Sequence, residues 1–346
     1  MANVLKIGIP KGSLQESTLA LFSAAGFSFR GTERSLRLSS NDPEVEPVLL
    51  RPQEIPLFVS RGDLDCGLAG LDWIEETRCK KSLYKLADLQ YSKQSFRPVK
   101  WVLAVRNDSP CQKTDDLKTL GGDVRISTEL EWVTQNWLSN KGIIAEVDFS
   151  WGATEAKAGD FADAIVECTE TGASLRANGL RILDTVFEST TQFFAYRPIC
   201  VDPKSEEKEN EEERRRATAI TSRSDVICVG PESKTADELE EFKRLADIHK
   251  KSGWKRTKLA GIALLLKSCL AADAKVNVRV LAPSPEAEVL EALIPSTTSY
   301  SIWNGKKDEV LFELIMDKAS ARELVPVLAR NGAAQITSAK LDMLYE

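Results

Sequence analysis

Histidine is almost absent from this sequence: His249 is the only one among 346 residues. Ser-His-Asp and Cys-His catalysis, and metal centres built on imidazole, would all have to rest on that side chain in a charged helical stretch, and they are set aside. Cysteine is present but unorganised. Seven copies stand at 66, 79, 111, 168, 200, 228 and 269, an odd number with no CxxC among them. This is the pattern of reduced thiols in a cytoplasmic protein, not of a disulfide framework or a zinc site. No apolar run reaches the roughly 18 residues that a membrane-spanning helix needs. The N-terminal MANVLKIGIPKG enters a strand directly, without the apolar core of a signal peptide. The net charge is −6 and no basic cluster dominates, so nucleic acid is not an expected partner.

What is there is apolar material for a sizeable core, 42% of the chain, over a length that suggests two or three domains. The most informative stretch is 151–180. Its middle, DAIVECTETGASL at 163–175, reads as a short apolar strand running into a hydroxyl-rich turn. Such a turn can aim backbone N–H groups and hydroxyls at one phosphate. Gly172 permits close backbone approach and positive φ. Thr169, Thr171 and Ser174 supply hydroxyls, and Asp163 and Glu167 supply carboxylates for sugar hydroxyls or for Mg²⁺ on a phosphorylated substrate. An acid, then Thr-Gly, then a small residue and a hydroxyl is what a 5-phosphoribosyl pocket needs. The same letters also describe ordinary strand–turn–helix punctuation.

Along the chain, 4–9 reads as a buried strand, Pro10 to Ser13 as a turn, and 14–25 as an amphipathic helix ending at Gly26. A strand at 45–50 places Arg51 at its C-terminal end, where a guanidinium can face a cleft and clamp phosphate. Arg34 is a second candidate. A strand at 64–68 leads to the turn AGLD, whose Asp72 is expected to cap a helix beginning at Trp73 and is also placed to meet ligand. Strands follow at 100–106, 123–127, 144–149, 180–187 and 191–196, with short helices at 114–120, 128–140 and 154–158. Ser127, Thr128 and Glu129 end a strand facing the same cleft, Glu155 precedes the last of those helices, and the Trp132/Trp137 pair reads as core. DPKSEEKENEEERRR, at 202–216, marks a charged excursion extending to about 257, with an apolar patch at 217–230 and a charged helix at 235–251. From 258 the order is helix, then βαββαβ, a ferredoxin-like arrangement.

Four blocks in order resemble the ATP phosphoribosyltransferase family, in its long form: LKIGIPKGSL at 5–14, LRPQEIP at 50–56 with GDLDCGLAGLDWI at 62–74, the stretch around 163–175, and 260–293. The resemblance implies a two-lobed, periplasmic-binding-protein-like α/β catalytic core: lobe I at 1–95 with 180–257, lobe II at 96–179. A ferredoxin-like regulatory domain would occupy 258–346. It implies Mg²⁺-dependent transfer of the phosphoribosyl group of phosphoribosyl diphosphate (PRPP) to N1 of ATP, the first step of histidine biosynthesis. Histidine is then the expected inhibitor, and a homo-oligomer, dimer or hexamer, the expected assembly. The 163–175 stretch becomes the PRPP loop, with Glu170, Ala173 and Leu175 joining the residues above. Lys11 moves into the substrate cleft, Arg51 meets the pyrophosphate leaving group, and Ser13 stands where the family often has Arg. N1 of adenine carries a free lone pair, so a chain nearly devoid of histidine can perform this chemistry by positioning and charge stabilisation. Two other readings stay open: a two-lobed ligand sensor without chemistry, and a paralogue dependent on a partner subunit.

Overall fold

Apolar residues fill almost every position of Leu5–Pro10 (β1) and all of Cys66–Gly70 (β5), the near-continuous pattern of strands covered on both faces. In the computed structural model both are central strands. The structure describes residues 4–32, 35–89, 91, 98–120, 124–201, 253–304 and 308–344. Arg34, His249 and nearly all of the charged stretch at 202–257 lie outside the described residues.

The first sheet has the order β4-β1-β5-β12-β6, where β4 is Val45–Leu50, β6 is Leu83–Leu89 and β12 is Thr191–Tyr196. β1 pairs in parallel with β4 and β5, and β12 runs antiparallel to β5 and β6. The second sheet has the order β11-β7-β10-β8-β9, built from β7 (Val99–Arg106), β8 (Arg125–Thr128), β9 (Glu146–Phe149), β10 (Ala164–Thr169) and β11 (Leu180–Ser189). β8 is parallel to β9 and β10; β7 is antiparallel to β10 and β11. A two-stranded ribbon joins β2 (Phe29–Arg30) to β3 (Ser39–Ser40). These two five-stranded sheets are the two lobes of the expected core. The chain passes between them at Val99 and again at Thr190, a residue-level correction to the expectation that 180 already belongs to the first lobe. All ten residues of β11 stay with the second sheet because β7 offers a partner along its whole length.

Helices connect the strands: α1 (Gln15–Ala24), α2 (Ile55–Ser60), α3 (Leu71–Glu76), α4 (Glu131–Lys141), α5 (Ala173–Ala177) and α6 (Arg197–Cys200). The first core gathers Ile55, Val59, Leu64, Ile74 and Phe194, the second Leu103, Val105, Ile126, Leu138 and Val166. Phe193 and Phe194 are completely buried on β12, each worth about 1.5–3 kcal/mol of burial. The Trp137 side chain packs against the second core, as expected, while Trp132 is exposed with Arg78 over its ring.

Helix α7 (Trp254–Ala274) begins in the first compact unit, which runs to Ala263. Its first turns are fastened there by charge: Lys258 Nζ donates to Asp42 Oδ2 at 2.5 Å and Glu44 Oε2 at 2.9 Å, and Lys255 Nζ to Asp65 Oδ1 at 2.6 Å.

The second unit holds β13 (Lys275–Pro283), α8 (Ser284–Leu293), β14 (Ser299–Asn304), β15 (Glu309–Asp317), α9 (Lys318–Arg330) and β16 (Gln335–Lys340). Its antiparallel sheet has the order β14-β15-β13-β16. Counting from β13, that is 2-3-1-4, the ferredoxin-like order. Val278, Val280, Phe312 and Leu314 pack beneath Leu290, Leu324 and Leu328 of the two helices. Among the described residues no helix is long and apolar enough to cross a membrane.

Candidate active site

Parallel strands bring their C-terminal ends to one edge of a sheet, and the loops there are the usual place for a ligand in open α/β folds. A cavity of about 690 Å³ is lined at this edge by residues from both sheets of the core. Lys11 and Ser13 follow β1, Arg51 and Gln53 follow β4, and Gly70 and Asp72 end β5. Glu129 follows β8, and Glu167 to Thr171 carry β10 into α5, whose Ala173 and Ser174 also line the cavity. Five strand ends thus supply the polar groups. Tyr91, Trp101, Ser189, Thr190 and Thr191, close to where the chain passes between the sheets, line it further.

The turn after β10 is closed by its own side chains. Gly172 N donates to Thr169 Oγ1 at 2.7 Å and Ala173 N to Thr171 Oγ1 at 3.4 Å. As acceptors, both threonine hydroxyls keep their protons to donate elsewhere. Gly172 has φ 71°, which a side chain would strain. Ser174 differs: its Oγ lies 2.8 Å from Glu155 Oε1 and donates to it. Lys11 and Arg51 are exposed, and neither has an ion-pair partner among the described residues.

The opposing charge is larger. Asp72, Glu129, Glu167 and Glu170 line the same cavity. Burial pushes the Glu167 carboxyl above the usual carboxylate range, and Glu155 and Glu129 push it the same way. The Thr154 hydroxyl and the Cys168 amide hold it back. The Cys168 thiol reaches solvent, yet desolvation in the cavity wall and then Asp72, Glu167, Glu170 and Glu129 raise its pKa, which disfavours the thiolate.

Asp72 is not a helix cap. The helix starts at Leu71, two residues earlier than expected, with Gly70 at its N-cap position. The carboxylate is buried instead, accepting from Trp101 Nε1 at 2.7 Å, from Trp73 N at 2.8 Å and from the Ser189 hydroxyl. Burial raises its pKa against those donors. A Cβ on Gly70 would stand 2.1 Å from Asp72 Oδ1, so only glycine leaves room for this arrangement. The Trp101 indole meets Trp73 edge-on, with ring centroids 6.0 Å apart.

Other expected residues are placed elsewhere. Asp163 precedes β10 and accepts from Arg125 N at 2.8 Å. It stands four positions before Glu167, so along an extended strand the two Cα atoms are about 13 Å apart on one face, too far to share a sugar. Leu175 is core, packed with Val102, Ala104, Ile165 and Leu180. Gly172 and Glu155 support the wall without lining the cavity. Trp101 and Tyr91 were not anticipated. The place of Trp101 depends on its antiparallel pairing with Cys168, and that of Tyr91 on bonds with the Thr18 and Thr191 hydroxyls, which no local pattern encodes.

Comparison with known proteins gives the family. The family model for ATP phosphoribosyltransferase (HisG) matches residues 51–214, from the Arg51 strand end through the β10 turn. An ATP phosphoribosyltransferase from Chlorobium phaeobacteroides is 38% identical over 347 residues, covering 100% of this chain and 99% of its own. One from Thermodesulfovibrio yellowstonii is 39% identical over 332 residues, covering 96% and 94%. The chain belongs to the ATP phosphoribosyltransferase family. Among solved structures, an ATP phosphoribosyl transferase (HisG:HisZ) complex from Thermotoga maritima is 26% identical over 62% of this chain and 98% of that one, with a TM-score of 0.47. Family membership makes the chain a phosphoribosyltransferase, and the cavity at the five strand ends is where its substrates are sought.

Proposed function

We propose that this chain joins the 5-phosphoribosyl group of PRPP to N1 of ATP and releases pyrophosphate, the first step of histidine biosynthesis. The observation that carries this reading is the convergence at one cavity of Thr169, Thr171, Ala173 and Ser174 from the β10 turn, of Lys11 and Arg51, which have no ion-pair partner among the described residues, and of a row of carboxylates. The N1 lone pair attacks C1′ of PRPP, and the bond from C1′ to the pyrophosphate oxygen breaks with its electrons leaving on pyrophosphate. The Thr169 and Thr171 hydroxyls, each free to donate, hold the 5-phosphate. Glu167 accepts from ribose hydroxyls. Arg51 and Lys11 meet the departing pyrophosphate, where fixed positive charge lowers the barrier most.

Mg²⁺ fits this donor set in a particular way. Among the described residues no cluster of three or more His, Cys, Asp or Glu could hold a metal by itself. Two cations face four carboxylates in the cavity, an excess of negative charge that a divalent cation entering with the substrate would offset. Glu129 would complete the shell of an ion bound chiefly by substrate oxygens and water. The ion would neutralise charge on the leaving group. Within this reading 258–346 is the regulatory part, histidine is its ligand, and the chain works as a homo-oligomer.

The test is the product. Incubation with ATP, PRPP and Mg²⁺ should give a species with the mass of ATP plus a phosphoribosyl group, and an ATP analogue with carbon in place of N1 should bind without reacting. Reaction of that analogue would move the attack to another atom. PRPP binding with no product under any condition would favour a sensor without chemistry.

A further inference from the structure

Between β9 and β10 lies a segment whose polar groups turn inward. Ser150 and Thr154 are buried to 0% and 1% exposure, and Lys157 is half-buried beside them. Lys157 Nζ lies 2.7 Å from Ser150 Oγ, and Ser150 Oγ lies 2.8 Å from Thr154 Oγ1. The Thr154 hydroxyl bonds the Glu167 carboxylate in the cavity. The direction of this chain follows from what each end can do. An ammonium only donates and a carboxylate only accepts. Lys157 therefore donates to Ser150, Ser150 donates to Thr154, and Thr154 donates to Glu167. The one other acceptor near Ser150, the Gly152 carbonyl, is at 3.4 Å.

The backbone is bent to make this possible. Gly152 and Ala153 are consecutive left-handed residues, with φ 111° and 50°. A non-glycine residue there costs roughly 1–2 kcal/mol. The same segment sends Glu155 to Ser174, so it touches the cavity wall at two points. Glu167 needs such support. It is partly buried among like charges, and among the described residues no lysine or arginine pairs with it directly.

We propose that Lys157 is a positioning residue for the reaction, acting through the Ser150 and Thr154 hydroxyls to hold the Glu167 carboxylate toward the ribose of PRPP. This rests on the reading that Glu167 meets that ribose. The chain moves no proton in the reaction; it fixes one side-chain conformation.

The experiment uses the full chain and equilibrium titration with PRPP alone, then with ATP alone. Lys157→Met should weaken PRPP binding about tenfold, the lower end of what loss of an outer partner costs a binding group. ATP binding should not change, and Lys157→Arg should recover most of the loss. Glu167→Gln should weaken PRPP binding by itself, and Lys157→Met should then add little to it. Thr154→Val, nearly isosteric, should reproduce Lys157→Met and serves in its place if that variant folds poorly. Additive losses in the double variant, equal losses for both substrates, or unchanged PRPP affinity in both Lys157→Met and Thr154→Val would overturn the role of Lys157 alone. Unchanged PRPP affinity in Glu167→Gln would instead overturn the ribose contact, and the positioning role with it.

Discussion

Replacing Arg51 by alanine should slow turnover by about 10²–10³-fold while leaving the fold intact. The side chain is exposed at the end of β4 and has no ion-pair partner among the described residues, so its removal breaks no ion pair there. What it removes is a charge facing the cavity. At an effective dielectric constant near 20, two unit charges 4 Å apart attract by about 4 kcal/mol. Solvent reduces this at an exposed site, and losing one fixed stabiliser of developing charge typically costs about 2.7–4 kcal/mol. Arg51→Lys should recover part of the rate, because a point charge cannot form the paired contacts of a guanidinium. The assay is steady-state pyrophosphate release, with kcat and the KM for PRPP separated, alongside a thermal melt. A fall mainly in kcat with an unchanged Tm supports the leaving-group role. A rise in KM with kcat intact would assign Arg51 to uniform binding and refute the reasoning.

Asp72→Ala should destabilise the chain by about 2–4 kcal/mol in urea unfolding, because it leaves the Trp101 and Trp73 N–H groups buried without acceptors. With its folded pKa above the ordinary 3.8, the folded chain binds the Asp72 proton more tightly than the unfolded chain, so this group costs stability as pH rises from about 4 through its folded value. The stability of Asp72→Asn relative to the parent should therefore increase with pH over that window and then level off; a decrease would contradict the burial argument. Glu76 accepts from Trp132 N at 2.9 Å and Val133 N at 3.0 Å, capping α4 from another helix. Its alanine variant should lose about 1–2 kcal/mol, read by the same unfolding. Cys168 should alkylate slowly near neutral pH despite its exposure, with a rate still climbing at pH 10, as followed by peptide mass mapping. Gly172→Val should abolish PRPP binding in a titration, because it strains the left-handed turn; unchanged affinity would place the 5-phosphate elsewhere.

Much of the fold was legible because it depends on local pattern. Continuous apolar runs gave β1, β5 and β10, and the βαββαβ order of 275–340 could be read from alternation and breakers alone. Arg51 was placed by one rule, that residues just past a parallel strand face the ligand edge, whereas Lys11 was placed by the family resemblance. What escaped was tertiary. Asp72 looked like a cap because a helix was expected at Trp73; the strand's glycine at 70 started it earlier and freed the carboxylate to turn inward. Asp163 was grouped with Glu167 through nearness in sequence, which in a strand means distance. Trp101 gave no sign of its role, since its indole finds Asp72 across 29 residues. The Lys157 chain was equally hidden: Ser150, Thr154 and Lys157 are commonplace residues until a left-handed turn buries them together.

The most direct test of the account is pyrophosphate release by the purified chain with Mg²⁺ and each substrate alone, then with both, with and without histidine. Release that requires ATP and PRPP together is the predicted result, and suppression by histidine would assign the ferredoxin-like unit its regulatory part. Release from PRPP without ATP, or none with both present, would contradict the proposed transfer.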